Sequence, residues 1–346
     1  MNFLLMPVAI LFRLITSVRN MLFDLGIFKS NTFKIPIICV GNLSVGGTGK
    51  TPHTDYITNL LKQNYNVAII SRGYKRKGCS FKYVECHNNY SSVGDEPLML
   101  KRKHPSCLVV VCGNRVKAIK KIIHENSKID IILLDDGFQH RWVKAGMNIL
   151  LTSINKPFYL DKHLPYGSLR ENIKESKRAD KIIITNTLET TNNKEIENIK
   201  KNVAKYSNKQ CLFTEIKYLQ YKNIFNKNEL NNINEYNVIL ISGIANTNAL
   251  TNYLKKNTTI IKHFEFKDHH NFSKEDINKI LLYYNSISNI KKLILTTEKD
   301  SIRLLKFEQE FADIPAFYLP IKIKFQNQAI FDEELKEYVR KNKRNS

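Results

Sequence analysis

A glycine-rich turn that ends in a lysine and a threonine follows an apolar run in Ile35–Pro52, read as IPIICVGNLSVGGTGKTP. This is the layout of a phosphate-binding loop, in which backbone N–H groups and the start of the next helix surround a polyphosphate. Lys50 would reach the β- and γ-phosphates, and the Thr51 hydroxyl would hold Mg²⁺. The predicted nucleotide contacts are Ser44, Val45, Gly46, Gly47, Thr48, Gly49, Lys50 and Thr51. An ordinary glycine-rich turn is the alternative, because Ser44 stands where the general pattern has glycine.

Two adjacent carboxylates end a second apolar run, Ile131–Leu134. Such a run is typical of a buried parallel strand, and parallel strands end at the edge of the sheet where a nucleotide binds. Asp135 and Asp136 are therefore predicted on the Mg²⁺ side of the site, although a solvated Asp-Asp-Gly turn would have the same sequence. The predicted magnesium ligands come from Thr51, Asp135, Asp136 and Glu96.

Eight short segments, in a single order along nearly the whole chain, resemble the tetraacyldisaccharide 4'-kinase family, the lipid A 4'-kinases. They are GNLSVGGTGKTP (41–52), SRGYKRK (71–77), VGDEPLML (93–100), NRVKA (114–118), DDGFQHR (135–141), LPYGSLRE (164–171), DHH (268–270) and TEKD (297–300). The family usually has serine or threonine at the position of Ser44. Asn114, Trp142 and the stretch 166–168 depart from what is common in the family.

The resemblance implies an enzyme that transfers the γ-phosphate of ATP, with Mg²⁺, to the 4'-hydroxyl of a tetraacylated glucosamine disaccharide 1-phosphate, a membrane lipid. It also implies that Asp95 is the general base and acts with His269. The residues alone favour simpler interpretations, a helix N-terminus for Asp95 and a polar loop for His269. Catalysis would also involve Lys50 and Arg115, which would meet the charge of the transferring phosphate.

Further side chains inside the matching segments are predicted to contact the substrate. They are Arg72, Gln139, His140, Arg170 and Glu171. In a chain this basic, a single arginine is more often a solvated surface residue. The segment Thr297–Asp300 lacks the arrangement of a guanine reader, so ATP is preferred to GTP; it fits a base-recognition loop and a helix N-cap equally well.

Charge and cysteine content limit the possible partners. Lys and Arg number 54 against 32 Asp and Glu, a net charge of +22, which suggests either an anionic partner or compositional drift. The basic residues are dispersed and form no known nucleic-acid motif, so no specific nucleic acid is expected. The six cysteines include no C-x-x-C pair, which favours a reducing cytoplasm.

The alternative function is a phosphate-loop ATPase switch without a lipid acceptor, although such switches carry lysine at the position of Val45.

The N-terminal segment is apolar on one side. The apolar run that begins at Phe3 is interrupted by Arg13, and Leu11–Leu25 repeats apolar residues at helical spacing. This predicts an amphipathic helix that either docks on the core or lies in a membrane interface. The lipid substrate implied by the resemblance favours the membrane. The chain is therefore expected to be a monomer, peripherally bound to the cytoplasmic face of the bacterial inner membrane.

Strand-like runs, such as those at 67–71, 181–185 and 316–323, alternate with helical segments. This alternation predicts an α/β fold, a phosphate-loop NTPase-like and mostly parallel sheet with a second, smaller α/β domain. The predicted organisation is an N-terminal amphipathic, membrane-associating helix at 1–28, a kinase domain at 29–209, a linker at 210–234 and the smaller domain at 235–346. Asp95 and His269 would then lie in different domains, so that domain closure would assemble the site and exclude water.

Overall fold

The structure is a computed structural model that describes residues 5–188, 190–288 and 290–342. Residues 1–4 of the predicted segment 1–28 and residues 343–346 of the predicted domain 235–346 lie outside the described residues. Within those ranges the chain forms two sheets with helices on their faces, which confirms the predicted α/β class.

The larger sheet is mostly parallel. Its strands, in chain order, are β1 (Ile37–Asn42), β2 (Val67–Ser71), β3 (Lys82–Tyr83), β4 (Leu108–Val111), β5 (Ile131–Asp135), β6 (Met147–Ser153), β7 (Lys181–Thr185), β8 (Cys211–Tyr218) and β15 (Ile321–Phe325). Their order across the sheet is β15-β8-β7-β6-β1-β5-β2-β4-β3. Only the edge strands β15 and β3 pair antiparallel within the described residues.

Helices cover both faces of this sheet. The helices of the chain are α1 (Met6–Asp24), α2 (Lys50–Leu61), α3 (Tyr90–Val93), α4 (Asp95–Lys103), α5 (Arg115–Glu125), α6 (Asn193–Ala204), α7 (Asn248–Lys255), α8 (Lys274–Ser286), α9 (Glu298–Leu304) and α10 (Gln328–Asn342). The central strands β1, β2 and β5 are buried along their whole length, as expected for parallel strands between helical layers. Each large aliphatic side chain buried there stabilises the fold by about 1.5–3 kcal/mol.

The smaller sheet has a parallel core extended by two antiparallel strands. Its strands are β9 (Tyr221–Asn223), β10 (Glu229–Leu230), β11 (Asn237–Ser242), β12 (Thr259–Glu265), β13 (Lys292–Thr297) and β14 (Ala316–Leu319), in the order β10-β9-β14-β13-β11-β12. Helix α8 begins with a capping box between Ser273 and Asp276, which fixes the chain direction just after the predicted histidine site.

The chain crosses between the two sheets twice, and this differs from the predicted boundaries. The segment predicted as a linker, 210–234, is not a free connection, because β8 pairs with β7 and β9 with β14. The run predicted as one strand from Ala316 to Ile323 divides at Pro320, since proline lacks the N–H that a continuous ladder needs. β15 then pairs with β8, and the α10 residue Tyr338 donates a hydrogen bond to Ile37 O. The end of the predicted domain 235–346 therefore belongs to the larger sheet.

Helix α1 exposes its apolar side chains and turns polar residues towards the protein. It is long and apolar enough to cross a membrane by length and composition, and 17% of that window is buried. Its buried residues are Ala9, Thr16, Asn20 and Phe23. Arg19 and Asn20 donate hydrogen bonds to the carboxylate of Glu171 in the larger domain. The alternative in which an apolar face docks on the core is therefore wrong for most of this helix.

Candidate active site

The loop between β1 and α2 has the backbone that a phosphate cradle needs. Gly46 and Gly49 adopt φ values of 118° and 81°, which L side chains rarely reach. Asn42 at the end of β1 donates a hydrogen bond to Thr48 Oγ1 at 2.7 Å, which holds the loop closed across its base. Lys50 and Thr51 then form the first turn of α2, whose free N–H groups face the loop.

The predicted contacts Ser44 and Val45 are held by the segment that ends in Arg170. The N–H of Val45 donates to Ser168 O at 2.7 Å, and Ser44 forms an isolated bridge with Leu169. Gly47 faces the other domain, since a Cβ added there would lie 3.6 Å from Ala245 Cβ. The phosphate loop therefore borders both domains.

Asp136 is surrounded by cations. Lys50 Nζ lies 3.9 Å from Asp136 Oδ2, and Arg170 donates to both oxygens of Asp136, at 2.8 and 3.1 Å. Arg170 also bonds Asn42 Oδ1, which links this ion pair to the phosphate loop. Burial alone would raise the pKa of Asp136, but Lys50, Arg170 and Arg115 lower it below its ordinary value. Asp136 is therefore ionised at neutral pH.

Asp135 has the opposite electrostatic environment. Its Oδ1 accepts a hydrogen bond from Thr54, one turn into α2, at 3.0 Å. Burial, with the nearby charges of Glu96 and Asp136, raises the pKa of Asp135 to about 7 despite the opposing effect of Lys50. Crowded, buried carboxylates of this kind are stabilised by a cation, so the residues fit Mg²⁺.

The predicted magnesium ligands are brought to one edge of the larger sheet. Thr51 lies in the first turn of α2, Asp135 ends β5, and Glu96 lies in the first turn of α4. Among the described residues, no group of three or more His, Cys, Asp or Glu side chains is arranged to hold a metal ion alone. Mg²⁺ in nucleotide sites usually completes its coordination shell with phosphate and water oxygens.

Asp95 and His269 meet across the domain boundary. His269 Nδ1 lies 2.9 Å from Asp95 Oδ2 and 3.1 Å from Oδ1, and both side chains are largely buried. Asp95 is the first residue of α4, so the helix N-terminus predicted from the residues alone is also correct. Burial opposes ionisation of Asp95, but His269, Lys299 and Arg303 outweigh it and lower the pKa of Asp95.

Helix α9, which carries the TEKD segment, supports this pair from the smaller domain. Thr297 is its N-cap and accepts a hydrogen bond from the Asp300 N–H at 3.0 Å, which confirms the N-cap interpretation. Lys299 contacts His269, and Arg303 Nε lies 3.6 Å from Asp95 Oδ2. Burial lowers the pKa of Lys299, but Glu96, Asp95 and Asp268 outweigh it and raise that pKa.

Sequence reasoning did not assign Lys299 or Arg303 to the site. A signal was present for Lys299, which lies in the TEKD segment directly after an apolar strand, whereas Arg303 lies three residues beyond that segment, in the last turn of α9. The second histidine of the DHH segment is held away from Asp95: His270 stacks on Phe266 and bonds Asp276 at 2.8 Å.

Arg115 and Arg72 stand on one side of the acidic pair. Arg115 is buried and donates to Cys112 O at 2.7 Å, while its Nε has no hydrogen-bond partner among the described residues. Burial lowers the pKa of Arg115, although Asp136 and Asp135 oppose the shift. Arg72 is exposed. These placements are compatible with the predicted phosphate contacts.

The predicted substrate residues Gln139, His140 and Glu171 all form polar contacts within the protein. Gln139 donates to Asn42 O at 2.8 Å and to Glu171 at 3.3 Å. His140 Nε2 lies 3.3 Å from Gly113 O. Glu171 is completely buried and accepts hydrogen bonds from Arg19, Asn20, Gln139 and Arg178. These contacts suit Glu171 to positioning more than to direct substrate binding.

Replacement of Glu171 with alanine should lower the free energy of unfolding by about 3 kcal/mol, because Asn20 and two arginines would lose a buried carboxylate. Urea unfolding would measure the loss. Glu175→Ala, which removes a less buried partner of Arg178, is the control and should cost less. Unchanged stability with a higher KM for the acceptor would instead support the predicted substrate contact.

Comparisons with known proteins agree over the whole chain. A family model described as tetraacyldisaccharide-1-P 4'-kinase matches residues 1–340. A Bacteroides thetaiotaomicron protein named tetraacyldisaccharide 4'-kinase is 37% identical over 358 residues, covering 99% of this chain and 94% of the relative. One of the same name from Flavobacterium psychrophilum is 41% identical over 348 residues, covering 98% of each.

A solved structure shares the fold. The "apo" form of LpxK from Aquifex aeolicus in complex with ATP is 29% identical in sequence. The match has a TM-score of 0.76 and covers 97% of this chain and 98% of that chain.

Proposed function

The chain belongs to the tetraacyldisaccharide-1-P 4'-kinase family, and we propose that Asp95, held by His269, is the base of the transfer reaction. The enzyme is an ATP-dependent kinase of lipid A biosynthesis, with an alcohol acceptor and with Mg²⁺ as cofactor. The acceptor is the 4'-hydroxyl of a tetraacylated glucosamine disaccharide 1-phosphate. The observation that supports the proposed role is the Asp95–His269 contact, which joins the two domains.

The chain's own residues divide the work of phosphoryl transfer. The loop from Ser44 to Thr51 would bind the phosphates through its N–H groups, and Lys50 would neutralise the charge on the γ-phosphate. Arg115 and Arg170 would add positive charge on either side of Asp136. Thr51, Asp135, Asp136 and Glu96 would supply the protein ligands of Mg²⁺, which, when bound, neutralises charge on the phosphates.

Asp95 would accept the proton of the attacking hydroxyl as the new O–P bond forms. Phosphoryl transfer has a loose transition state, so orientation of the hydroxyl matters more than strong basicity. A carboxylate with a lowered pKa stays ionised at neutral pH and can fill that role. Arg72, Gln139 and His140 are proposed to bind the acceptor or its own phosphate.

The test is transfer of label from γ-labelled ATP to a tetraacylated disaccharide 1-phosphate in detergent micelles. Label on the lipid, absent when Lys50 is replaced by alanine, would support the proposed reaction. Release of free phosphate that depends on Lys50, with no label on the lipid, would contradict it. That second result would revive the ATPase switch, which the match to a kinase family along the whole chain does not favour.

We also propose that α1 brings the site to its lipid acceptor, as a peripheral anchor on the cytoplasmic face of the inner membrane. The apolar side chains along its outer face are exposed, including Ile10, Leu11, Leu14 and Ile15. The inner face of α1 is held on the protein by polar contacts: Asn20 donates to Glu171, and Arg141 donates to Asp24 at 2.6 Å. A docked helix with an apolar outer face is the geometry expected of an interfacial helix. A monomer without specific nucleic-acid binding remains the prediction.

The double replacement Ile10→Glu and Leu14→Glu should weaken binding to vesicles of acidic phospholipid by about 10²-fold, because two apolar side chains would no longer enter the bilayer. Flotation with the full chain would measure this. Leu282→Glu is the matched control, since Leu282 is as exposed as these residues but lies on α8 of the smaller domain. Equal losses in both proteins would argue against an anchor at α1.

A further inference from the structure

We propose that Lys299 is a positioning residue that holds His269 in a single tautomer and thereby orients the Asp95 carboxylate. This rests on the proposed role of Asp95 as the base. Lys299 itself was assigned no role by the sequence patterns beyond its place in the TEKD segment. It lies on α9 of the smaller domain, whereas Asp95 begins α4 of the larger one.

The contact that carries the proposal joins Lys299 Nζ to His269 Nε2, at 2.9 Å. An ammonium group has only N–H donors, so Nε2 must accept this hydrogen bond. The proton of a neutral imidazole is then on Nδ1, which lies 2.9 Å from Asp95 Oδ2 and donates to it. Lys299 and Asp95 thus bind opposite nitrogens of one ring and select the same tautomer.

The surroundings keep the Lys299 side chain in place. Its Nζ lies 3.1 Å from Glu96 Oε1 and 3.1 Å from Asp268 Oδ1, and only 17% of the side chain is exposed. These two carboxylates, with Asp95, flank the ammonium group from α4 and from the loop that precedes His269. The ammonium group is therefore fixed in direction as well as in charge.

The backbone of His269 is held by contacts that do not involve Lys299, so the contact with Lys299 acts on the ring alone. His269 has a φ of 56°, in the left-handed region, and its N–H donates to Gly243 O at 3.1 Å. Arg303 donates to Gly243 O at 3.0 Å and to His270 O at 2.9 Å. Tyr74 contacts the ring edge-on with centroids 5.0 Å apart. Asp268 Oδ2 also lies near Nε2, but at 3.9 Å it is beyond hydrogen-bond distance. Among the described residues, Lys299 is therefore the side chain that is hydrogen-bonded to Nε2.

The selected tautomer also decides where the proton goes during transfer. As the acceptor oxygen bonds to the γ-phosphorus and the bond to the leaving ADP breaks, the hydroxyl proton passes to Asp95. Because Nδ1 already carries a proton and Nε2 accepts from Lys299, His269 does not take that proton in this arrangement. His269 instead holds the carboxylate in place, and the remaining lone pairs of Asp95 would accept the proton of the hydroxyl.

The test uses the full chain with ¹⁵N-labelled histidine in detergent micelles, together with the lipid-kinase assay. The His269 signals are assigned by their loss in His269→Gln. The wild-type chain should show a protonated Nδ1 and an unprotonated Nε2. Lys299→Met, which keeps the length of the side chain without a donor, should give a mixture of tautomers. We expect kcat to fall by about 10²-fold in that variant with KM for ATP unchanged.

Lys103→Met is the matched control. Lys103 also joins α4 to α9, through Glu298 at 3.1 Å, but it contacts neither Asp95 nor His269. It should leave the tautomer and kcat unchanged, whereas Lys299→Arg, which keeps the donors, should recover part of the lost kcat.

A protonated Nε2 in the wild-type chain would overturn the proposal even if Lys299→Met failed to fold. A single Nδ1–H tautomer that persists in folded Lys299→Met would also overturn it. If the wild-type chain showed the expected tautomer but labelled no lipid, the proposed function would fail while the role of Lys299 in selecting the tautomer stood.

Discussion

Replacing Asp95 with alanine should lower phosphate transfer by about 10³-fold, the size of effect expected when a general base is removed. ATP binding should remain nearly intact, because Asp95 contacts His269 and lies near Arg303 but forms no hydrogen bond with the phosphate loop in the described residues. Single-turnover transfer to the lipid, together with equilibrium binding of ATP, measures the two quantities separately.

Another carboxylate–imidazole pair, Asp55 with His104, serves as the control. Asp55 Oδ1 lies 2.7 Å from His104 Nε2, and Lys103 also bonds Asp55 at 2.7 Å. Burial opposes the ionisation of Asp55, but His104 and Lys103 lower its pKa, so this pair is electrostatically similar to the Asp95 pair. Asp55→Ala should therefore destabilise the fold while leaving the rate of transfer largely unchanged. Equal losses of ATP binding and transfer in Asp95→Ala would refute the assignment of Asp95 as the base.

Replacing Lys50 with alanine should lower transfer by at least about 10³-fold and also weaken ATP binding, because Lys50 would neutralise phosphate charge before and during the reaction. The loss of positive charge also leaves Asp136 with one cation fewer beside the loop. The same transfer and binding assays measure both effects.

Lys62 is the control on the same helix. Lys62 is the C-cap of α2, at the opposite end of the helix from the phosphate loop. Its Nζ lies 3.0 Å from His104 Nδ1. Lys62→Ala should retain both ATP binding and transfer. Normal ATP binding in Lys50→Ala would contradict the phosphate-loop assignment, whereas normal binding in Asp95→Ala is the expected result.

Lys50→Ala and Asp95→Ala test different parts of the site: the first changes the phosphate loop, and the second changes the contact between the two domains. Lys50 belongs to a loop built from one continuous stretch of sequence, Ser44–Thr51. Asp95 depends on His269, Lys299 and Arg303 from the smaller domain. A variant that separates the domains should therefore resemble Asp95→Ala more than Lys50→Ala.

Local signals in the sequence determined the phosphate loop, the acidic pair and most of the strands. The pattern of apolar strand, glycine turn and helix start predicts the loop because its requirements are local: glycine at positive φ and free N–H groups at a helix N-terminus. Strands such as β2 and β7 were predicted with the bounds that the structure has, since buried parallel strands are continuous apolar runs.

The tertiary structure decided what depends on contacts distant in sequence. Pro320 ends one strand, but only pairing with β8 assigns the next strand, β15, to the larger sheet. The apolar stripe of α1 identified an amphipathic helix, but only the buried polar contacts to Glu171 determined which face is turned outwards. Periodicity fixes which residues share a face, whereas the partner of that face is set by packing.

The same division holds for the active site. The sequence by itself determined the kind of chemistry, because Lys50, Thr51, Asp135 and Asp136 lie where a phosphate loop and its metal require them. The family resemblance paired Asp95 with His269, but only the tertiary structure shows the two in contact across a sequence separation of 174 residues and adds Lys299 to them. The residues next to Asp95 in the sequence carry no sign of this contact, because the groups that bury and charge-balance Asp95 come from the other domain.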